Sequence, residues 1–276
     1  MKIFKTTAAL FAATIAALGI SVAAGCSSGE NEESNVPEIE IPAAPEFTPE
    51  ETPKQTPSVP EEPRIKEVTY IAVTSDGVNI RSGAGTGYSV RGQAEKSTLY
   101  AAETLSNGWY KTSWRNSAGY ISQKYCTEIH MRASADERVE AVVEEGLKLL
   151  GTPYVYGATR YHDGKGKLLS GFSVNKFDCS SLMQYIFYRG AGVNLDVNTR
   201  TQIYQGRTIK KDALERGDLM FFTNESRKNN TGIERVGHVA LYLGDNYILH
   251  TASDYAKIEK ISATRWSYFI QGQRIL

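Results

Sequence analysis

Polar and apolar positions divide the chain into four segments of different character. Lys2 and Lys5 precede an uncharged stretch from Thr6 to Gly25 that ends in small residues, as export signals do. Residues 27–64 then hold all but one of the nine prolines together with many glutamates. Such a composition cannot bury enough apolar surface to fold, so it predicts an extended tether.

Residues 65–130 show a different pattern, in which short runs alternate apolar and polar positions. The runs include "GVNIRSG", "GWYKTSW" and "AGYISQKY", and glycine, serine and asparagine turns separate them. Period-two alternation interrupted by turn residues is typical of short antiparallel strands. The pattern therefore predicts a small all-β barrel.

Residues 131–276 begin with helical spacing and continue with strands. Ser134 and Glu137 have the spacing of a capping box, and valines and leucines recur every three or four residues until Gly151. A second apolar stripe starts at "FDCSSLM" and ends at Gly190. The strand-like runs "RGDLMFF", "GHVALYLGD" and "NYILHTAS" follow, so this segment is predicted to be an α+β domain.

Cys179 lies in the first turn of the second predicted helix, with Asp178 placed to cap it. A helix N-terminus favours a thiolate and can lower the pKa of a cysteine. Its unpaired N–H groups can also hold the oxyanion of a tetrahedral intermediate. A buried structural cysteine is the competing interpretation, so a catalytic thiol needs a base close to it.

Two of the four histidines, His238 and His250, lie on neighbouring predicted strands joined by "GDN". Directly opposed residues in an antiparallel hairpin have a constant sum of residue numbers. His238 and His250 share a face only if this sum is even, which requires a loop with an odd number of residues, such as residues 244–246. Leu243 would then face Tyr247, and His238 would lie diagonal to His250. His130 and His162 are expected to be solvated surface residues.

Charge and cysteine content narrow the functional classes further. The chain carries 31 basic and 31 acidic residues, which gives no support for a nucleic-acid partner. Besides Cys26, only Cys126 and Cys179 are present, so we expect no disulfide framework, and Cys126 is expected to be a small buried residue near the end of a strand. The spacing of His, Cys and Asp does not resemble a closed metal site, and we expect no metal or other cofactor.

Two family resemblances follow from these motifs. "VNIRSGAGTGYSVRGQ", "SNGWYKTSW" and "AGYISQKYC" resemble a bacterial Src-homology-3-like domain, a family of wall-binding modules. "FDCSSLM", "RGDLMFF", "GHVALYLG" and "ILHTA" resemble the NlpC-type papain-like cysteine peptidases of bacterial cell-wall metabolism. The predicted architecture is thus a small Src-homology-3-like barrel followed by an α+β papain-like peptidase domain at residues 131–276.

The second resemblance implies a reaction and a set of catalytic residues. Cys179 would be the nucleophile, His238 the base, and His250 the residue that orients it. The implied activity is hydrolysis of the bond between γ-D-glutamate and a diamino acid in peptidoglycan peptides. The implied substrate class is L-Ala-γ-D-Glu-diamino acid, with lysine or diaminopimelate in the last position.

The resemblance also implies substrate-binding residues, namely Tyr154, Asp178 and Ser180. In relatives with such a barrel, the barrel closes the cleft, and a carboxylate such as Asp178 would bind the free ammonium of L-alanine. That arrangement predicts an enzyme that recycles free wall peptides. A plain helix cap is the competing role for Asp178, and Thr199 and Arg200 are weaker candidates where the family pattern is missing.

This sequence departs from the family pattern at a few positions. Ser181 stands where the family often has glycine, and Ala158 replaces a second glycine. The loop at residues 157–176 is longer than the resemblance implies. We expect it to form a mobile rim, either as a solvated loop or as a lid over the substrate.

The motif "AAGC" resembles a bacterial lipoprotein signal, with residues 1–26 as the signal peptide and Cys26 as the lipidated residue. An uncleaved membrane anchor is the alternative. Both predict an exported protein held at a membrane, facing the periplasm or the outer surface.

Three other functions remain open at this stage. The first is a hydrolase that acts on intact peptidoglycan, and the second is a non-catalytic wall-binding lipoprotein. The third is an acyltransferase that uses the same thioester chemistry.

Overall fold

A computed structural model describes residues 66–276 of the chain. The predicted signal peptide, Cys26 and the tether lie outside the described residues. Among residues 66–276, no helix is long and apolar enough to cross a membrane.

Eight short strands, all paired antiparallel, occupy the first part of the described chain. They are β1 (Glu67–Val73), β2 (Val78–Arg81), β3 (Val90–Ala94), β4 (Leu99–Ala101), β5 (Thr104–Ser106), β6 (Trp109–Trp114), β7 (Ser117–Ser122) and β8 (Cys126–Arg132). The alternating pattern predicted strands of this kind because successive side chains point to opposite faces. In β6, for example, Tyr110, Thr112 and Trp114 are buried and the residues between them are not.

Four helices and six strands follow. They are α1 (Glu137–Lys148), α2 (Cys179–Ala191), α3 (Thr199–Gln202), β9 (Arg207–Ile209), β10 (Leu219–Phe222), β11 (His238–Gly244), β12 (Tyr247–Ala252), β13 (Tyr255–Lys260), α4 (Ala263–Ser267) and β14 (Phe269–Arg274). The predicted helix pair followed by strands is therefore present.

The limits of both long helices differ from those predicted. Helix α1 is capped by Asp136, whose side chain accepts from the Arg138 N–H, and the hydroxyl of Ser134 accepts instead from the Asp136 N–H. Helix α2 continues past Gly190 to Ala191, because Gly192 adopts the left-handed conformation that ends it. Gly190 lies instead against helix α1, where an added Cβ would be 2.5 Å from the backbone nitrogen of Val142.

The strands form two sheets, and one of them extends across both predicted domains. A nine-stranded sheet has the order β8-β1-β4-β13-β12-β11-β10-β14-β9, and a five-stranded sheet has the order β3-β2-β7-β6-β5. The pairing of Leu99 in β4 with Ile258 in β13 links the sheet strands of the first predicted domain to those of the second. The pattern of the separate segments could not reveal this link.

Packing at Trp114 joins the same two parts. The Trp114 ring lies so close to Gly151 that an added Cβ there would be 2.5 Å from it, and it makes an edge contact with Tyr255. The Arg115 N–H donates to the Leu150 carbonyl at 2.8 Å. The segment that holds β1–β8, which we call the strand-rich segment, therefore supports the end of α1 and the β12–β13 region. That region carries part of the candidate site.

Candidate active site

Cys179 is the first residue of α2, and its position is set by a complete capping box. The Asp178 carboxylate accepts from the Ser181 N–H at 2.8 Å, and the Ser181 hydroxyl accepts from the Asp178 N–H at 2.9 Å. Ser181, one of the departures from the family pattern, thus completes the cap of the helix that presents the thiol. The prediction that Asp178 caps this helix is confirmed.

The thiol of Cys179 is buried, and both cysteines of the described residues are free. Burial raises the pKa of Cys179 to about 12, the neighbouring Asp178 charge raises it as well, and backbone hydrogen bonds with Val239 and Ser180 lower it less. This direction is opposite to the lowering expected from a helix N-terminus. The resting thiol is therefore neutral and needs a base for its proton.

His238 and His250 lie on the same face of the β11–β12 hairpin. Leu241 pairs with Leu249, and the sum of their residue numbers is the predicted one. Continued along the two strands, this register places His238 diagonal to His250. His238 Nε2 is 3.0 Å from His250 Nδ1, and both rings are buried. The predicted register is confirmed.

The turn of this hairpin differs from the three-residue loop that we expected. Gly244 pairs with Tyr247, so the loop is Asp245 and Asn246, both with positive φ, and the register shifts between Tyr242 and Gly244. The bulge at Leu243 supplies the extra residue that an odd loop would have supplied. A two-residue turn plus a bulge therefore preserves the shared face.

Glu259 is a further residue of the site that the sequence did not reveal. Its Oε1 atom lies 3.0 Å from His250 Nε2 and 3.0 Å from Arg265 Nη2. The contact between Glu259 and His250 is close, but it does not have the geometry of an aligned hydrogen bond. His250 pairs with Lys257 in the β12–β13 ladder, so Glu259, two residues further, lies on the face of His250. Pairing β13 with β12 in this register would have found it.

The carboxylate assigns a consistent set of protons to the two rings. A proton on His250 Nε2, facing Glu259, leaves His250 Nδ1 to accept from His238 Nε2–H. His238 Nδ1 then carries no proton and is the free base of the pair. The three side chains therefore form a row of contacts. His238 lines a cavity together with Cys179, His250 lies behind His238, and Glu259 lies behind His250.

Burial lowers the pKa of His238 well below its usual value, and the His250 and Arg265 charges lower it further. Burial likewise lowers the pKa of His250, while Glu259 raises it in part. Burial would raise the pKa of Glu259, but His250, Arg265 and Lys257 bring it down to about 2. At neutral pH, both rings are therefore neutral and Glu259 is ionised.

Glu259→Gln is expected to lower kcat/KM for the implied hydrolysis of peptidoglycan peptides about tenfold. It is also expected to move the acid limb of the pH profile of kcat/KM to lower pH. The shift follows because the Glu259 charge raises the pKa of His250, so its loss lowers the pKa of the histidine pair. The measurement is kcat/KM between pH 4 and 8. Glu215→Gln, which removes an exposed partner of Arg274, is the matched control and should leave the profile unchanged. A drop in rate without a shift of the acid limb would contradict this role.

Two cavities meet at Cys179. One, of about 360 Å³, is lined by Cys179, His238, Thr223, Ala252 and Arg265 among others, and we call it the histidine cavity. The other, of about 430 Å³, is the arginine cavity, lined by Cys179, Tyr154, Arg160, Asp178, Ser180, Thr199, Arg200 and Arg227 among others. All residues that line them lie between 154 and 268, so the strand-rich segment contributes to neither.

All the predicted substrate-binding residues line the arginine cavity. Tyr154 lines the histidine cavity as well. Asp178 is already fully engaged there. Besides capping α2, its carboxylate accepts from the Ser180 hydroxyl at 3.1 Å, from the Gly157 N–H at 3.2 Å and from Arg160 Nη1 at 2.8 Å. Arg160 comes from the long loop at residues 157–176, and this ion pair was not predicted from the sequence.

That loop packs against α2. Tyr161 makes edge contacts with Phe172, Tyr185 and Tyr188. The prediction for His162 was wrong, because its ring is completely buried and accepts at Nδ1 from the Gly164 N–H. Its position in a polar run concealed the aromatic pocket that the loop forms on the helix.

Outside the site, His130 agrees with the prediction and Cys126 does not. His130 is exposed on β8 and lies 3.1 Å from the Thr69 hydroxyl. Cys126 is only half-buried and begins β8, so the expected burial near a strand end was wrong. Within residues 66–276, no group of three or more His, Cys, Asp or Glu side chains is placed to hold a metal ion.

Comparison with known proteins identifies the region that carries this site. Residues 151–274 match the model of the NlpC/P60 family. The chain is similar to the peptidoglycan endopeptidase RipA of Mycolicibacterium smegmatis, with 32% identity over 49% of this chain and 25% of that protein. It is also similar to the γ-D-glutamyl-L-lysine dipeptidyl-peptidase of Bacillus subtilis, with 26% identity over 59% of this chain and 47% of that protein. The chain therefore spans between a quarter and about half of these relatives.

Among solved structures, a Bacillus cereus protein of the NlpC/P60 family covers 76% of this chain and 64% of its own, at 20% identity. The TM-score of 0.40 is too low for this similarity to support any inference.

Proposed function

We propose that the NlpC/P60 family domain at residues 151–274 is a cysteine peptidase that hydrolyses the γ-D-glutamyl to diamino acid bond of peptidoglycan peptides. The observation that carries this proposal is the meeting of Cys179 and His238 in one cavity, with His238 held by His250 at 3.0 Å. The names of the relatives, which are peptidoglycan endopeptidases and a γ-D-glutamyl-L-lysine dipeptidyl-peptidase, agree with this reaction.

The first half of the reaction forms a thioester. His238 Nδ1 takes the proton of the neutral Cys179 thiol as the sulfur attacks the γ-carbonyl carbon. The N–H of Cys179, in the first turn of α2, is a donor for the oxyanion. The C–N bond then breaks, and His238 returns its proton to the leaving amine of the diamino acid.

The second half regenerates the enzyme. His238 takes a proton from water, and the resulting hydroxide attacks the thioester carbon. The C–S bond breaks, His238 returns its proton to Cys179, and the glutamyl γ-carboxylic acid is released and ionises by losing its proton to water. During both halves, His250 and the ionised Glu259 stabilise the positive charge that passes through His238.

This proton path assigns each cavity to one side of the scissile bond. The leaving diamino acid must lie where His238 can protonate its amine, so it occupies the histidine cavity. The acyl part, L-Ala-γ-D-Glu, then occupies the arginine cavity on the other side of the thiol.

A free amino terminus on the substrate is not required in this proposal. The carboxylate expected to bind the ammonium of L-alanine, Asp178, is paired with Arg160, and the strand-rich segment lines neither cavity. Both observations favour a hydrolase that acts on peptides still joined to the wall over a recycler of free peptides.

We further propose that residues 65–130 are a Src-homology-3-like wall-binding module and that Cys26 carries a lipid. The protein would then work at the outer face of a membrane. These proposals rest on the sequence motifs.

The test compares cleavage of L-Ala-γ-D-Glu-meso-diaminopimelate, free and still attached to its amino sugar, by mass spectrometry. The lysine peptides are compared in the same way. We expect both forms to be cleaved at similar rates, within about threefold, because a buried ion pair already occupies the carboxylate at the amine end. Cleavage of the free peptides alone would restore the recycler, and no cleavage of any peptide would favour a non-catalytic wall-binding protein.

A further inference from the structure

The arginine cavity has an excess of positive charge. Arg160, Arg200 and Arg227 line it, and Asp178 is the only carboxylate side chain among the described residues that do so. Three cations facing one anion leave a local field that attracts a negatively charged group. The question is which of the three arginines are available to a ligand.

Arg160 and Asp178 form a neutral pair that is mostly shielded from water. The side chains are 19% and 6% exposed, and Arg160 also donates to the Ala158 and Val197 carbonyls and to the Ser180 hydroxyl at 3.2 Å. The acceptors around this guanidinium lie in the loop, at the start of α2 and, for Val197, in the connection between α2 and α3. The pair therefore fills the amine end of the cavity and leaves no free carboxylate for an ammonium ion.

Arg200 and Arg227 are held only by a partner at the surface. Both contact Glu234, at 3.6 Å and 3.1 Å, and Arg227 also donates to the Glu234 carbonyl. The Glu234 side chain is 59% exposed and does not line the cavity. Exposed ion pairs of this kind are weak and screened by salt, so a ligand carboxylate can replace Glu234.

The substrate has a suitable group at this place. A glutamate that is linked through its γ-carboxyl keeps its α-carboxyl free, and this anion belongs to the acyl part of the peptide. Guanidinium groups bind carboxylates through paired, charge-assisted hydrogen bonds. An α-amide at the same position has no charge, and it keeps one acceptor oxygen but replaces the other with N–H donors that cannot pair with arginine.

We infer that Arg200 and Arg227 bind the α-carboxylate of the γ-linked glutamate, and that the site selects peptides with a free α-carboxylate over those with an α-amide. This inference rests on the proposed function, because it places the acyl part of the substrate in the arginine cavity. It assigns a specificity role to Arg227, which lies outside the recognised motifs, and a definite role to Arg200.

The test measures binding without turnover. Full-length protein carrying Cys179→Ala is titrated by calorimetry with L-Ala-γ-D-Glu-meso-diaminopimelate and with the same peptide bearing an α-amide on the glutamate. We expect the free acid to bind at least about tenfold more tightly, with an advantage that shrinks as salt is raised. Equal binding, tighter binding of the amide, or binding of neither peptide would overturn the inference.

Variants at the two arginines locate the effect. Arg200→Gln with Arg227→Gln, on the Cys179→Ala background, should weaken binding of the acid to the level of the amide and leave the amide within about threefold of its own value. Arg235→Gln removes an exposed arginine next to Glu234 that does not line the cavity, and it should keep the full preference. Loss of the preference in that control as well would overturn the assignment to Arg200 and Arg227.

Turnover by the unmodified enzyme separates this inference from the proposed function. A Cys179→Ala protein that prefers the acid, together with a wild-type protein that cleaves neither peptide, would refute the peptidase and leave the carboxylate site standing. Cleavage of both peptides with equal affinity would refute the carboxylate site alone.

Discussion

Replacement of Cys179 by alanine is expected to reduce kcat/KM for wall-peptide hydrolysis by at least about 10⁴-fold. In the proposed mechanism, the thiol forms the covalent intermediate, and the histidine pair has no role as a nucleophile that could replace it. Residual hydrolysis above background would come only from the oxyanion donors and from substrate binding. The measurement is peptide cleavage under single-turnover conditions, with liquid chromatography and mass spectrometry as the detection.

This variant should fold like the wild type. The hydrogen bonds that start α2 come from Asp178 and Ser181 and do not use the thiol, so the cap of the helix is unaffected. Circular dichroism and thermal unfolding check this point. Cys126→Ala is the matched control, because it removes the other free thiol of the described residues, half-buried at the start of β8, and should leave activity unchanged.

An active Cys179→Ala protein would exclude the thioester mechanism. An inactive Cys126→Ala protein that remains folded would contradict the assignment of the nucleophile to Cys179 alone. The same cleavage assay reads both outcomes. Circular dichroism of each variant separates a loss of activity through misfolding from a loss of the nucleophile.

Local patterns in the sequence were sufficient for the parts of the site that depend on one element or on neighbouring ones. The cap at Asp178 follows from residue types within one turn of helix. The shared face of His238 and His250 follows from the parity of one hairpin, although the turn reaches that parity through a bulge at Leu243. Both relations involve residues that are close in the chain or in one ladder.

The parts that were missed depend on contacts between distant segments. Arg160 reaches Asp178 from an inserted loop, and the pairing of Leu99 with Ile258 joins strands from two predicted domains. Neither contact has a periodicity, so neither could be predicted from spacing. His162 was wrongly placed on the surface for the same reason, since its burial depends on Tyr188 of α2.

The pKa of Cys179 is raised, whereas a helix N-terminus can lower a thiol pKa, and the reason for this difference bears on the mechanism. A helix N-terminus lowers a thiol pKa, whereas burial away from water raises it. Cys179 is buried beside the Asp178 carboxylate, and these two influences raise its pKa to about 12. The proposed mechanism therefore depends on the base more strongly than a mechanism that starts from a preformed thiolate would.

That dependence leads to the second large effect, the loss of the base in His238→Gln. A thiol whose pKa is raised to about 12 is almost entirely protonated at pH 7. Glutamine can still donate a hydrogen bond to His250 Nδ1, but it cannot take the thiol proton. We expect kcat/KM at pH 7 to fall by about 10² to 10⁴-fold, the usual contribution of a general base.

The pH profile distinguishes loss of the base from a general disturbance of the site. In the wild type, the low pKa of His238 keeps the ring neutral from mildly acidic pH upwards, so kcat/KM should be level around pH 7. In His238→Gln, only direct ionisation of the thiol supplies the nucleophile, so kcat/KM should rise by close to tenfold per pH unit between about 7 and 9. His130→Gln, an exposed histidine on β8, is the control and should keep the wild-type profile. A level profile in His238→Gln would mean that another group, with His250 as the first candidate, accepts the thiol proton, because a thiol without a base cannot give a rate that is independent of pH.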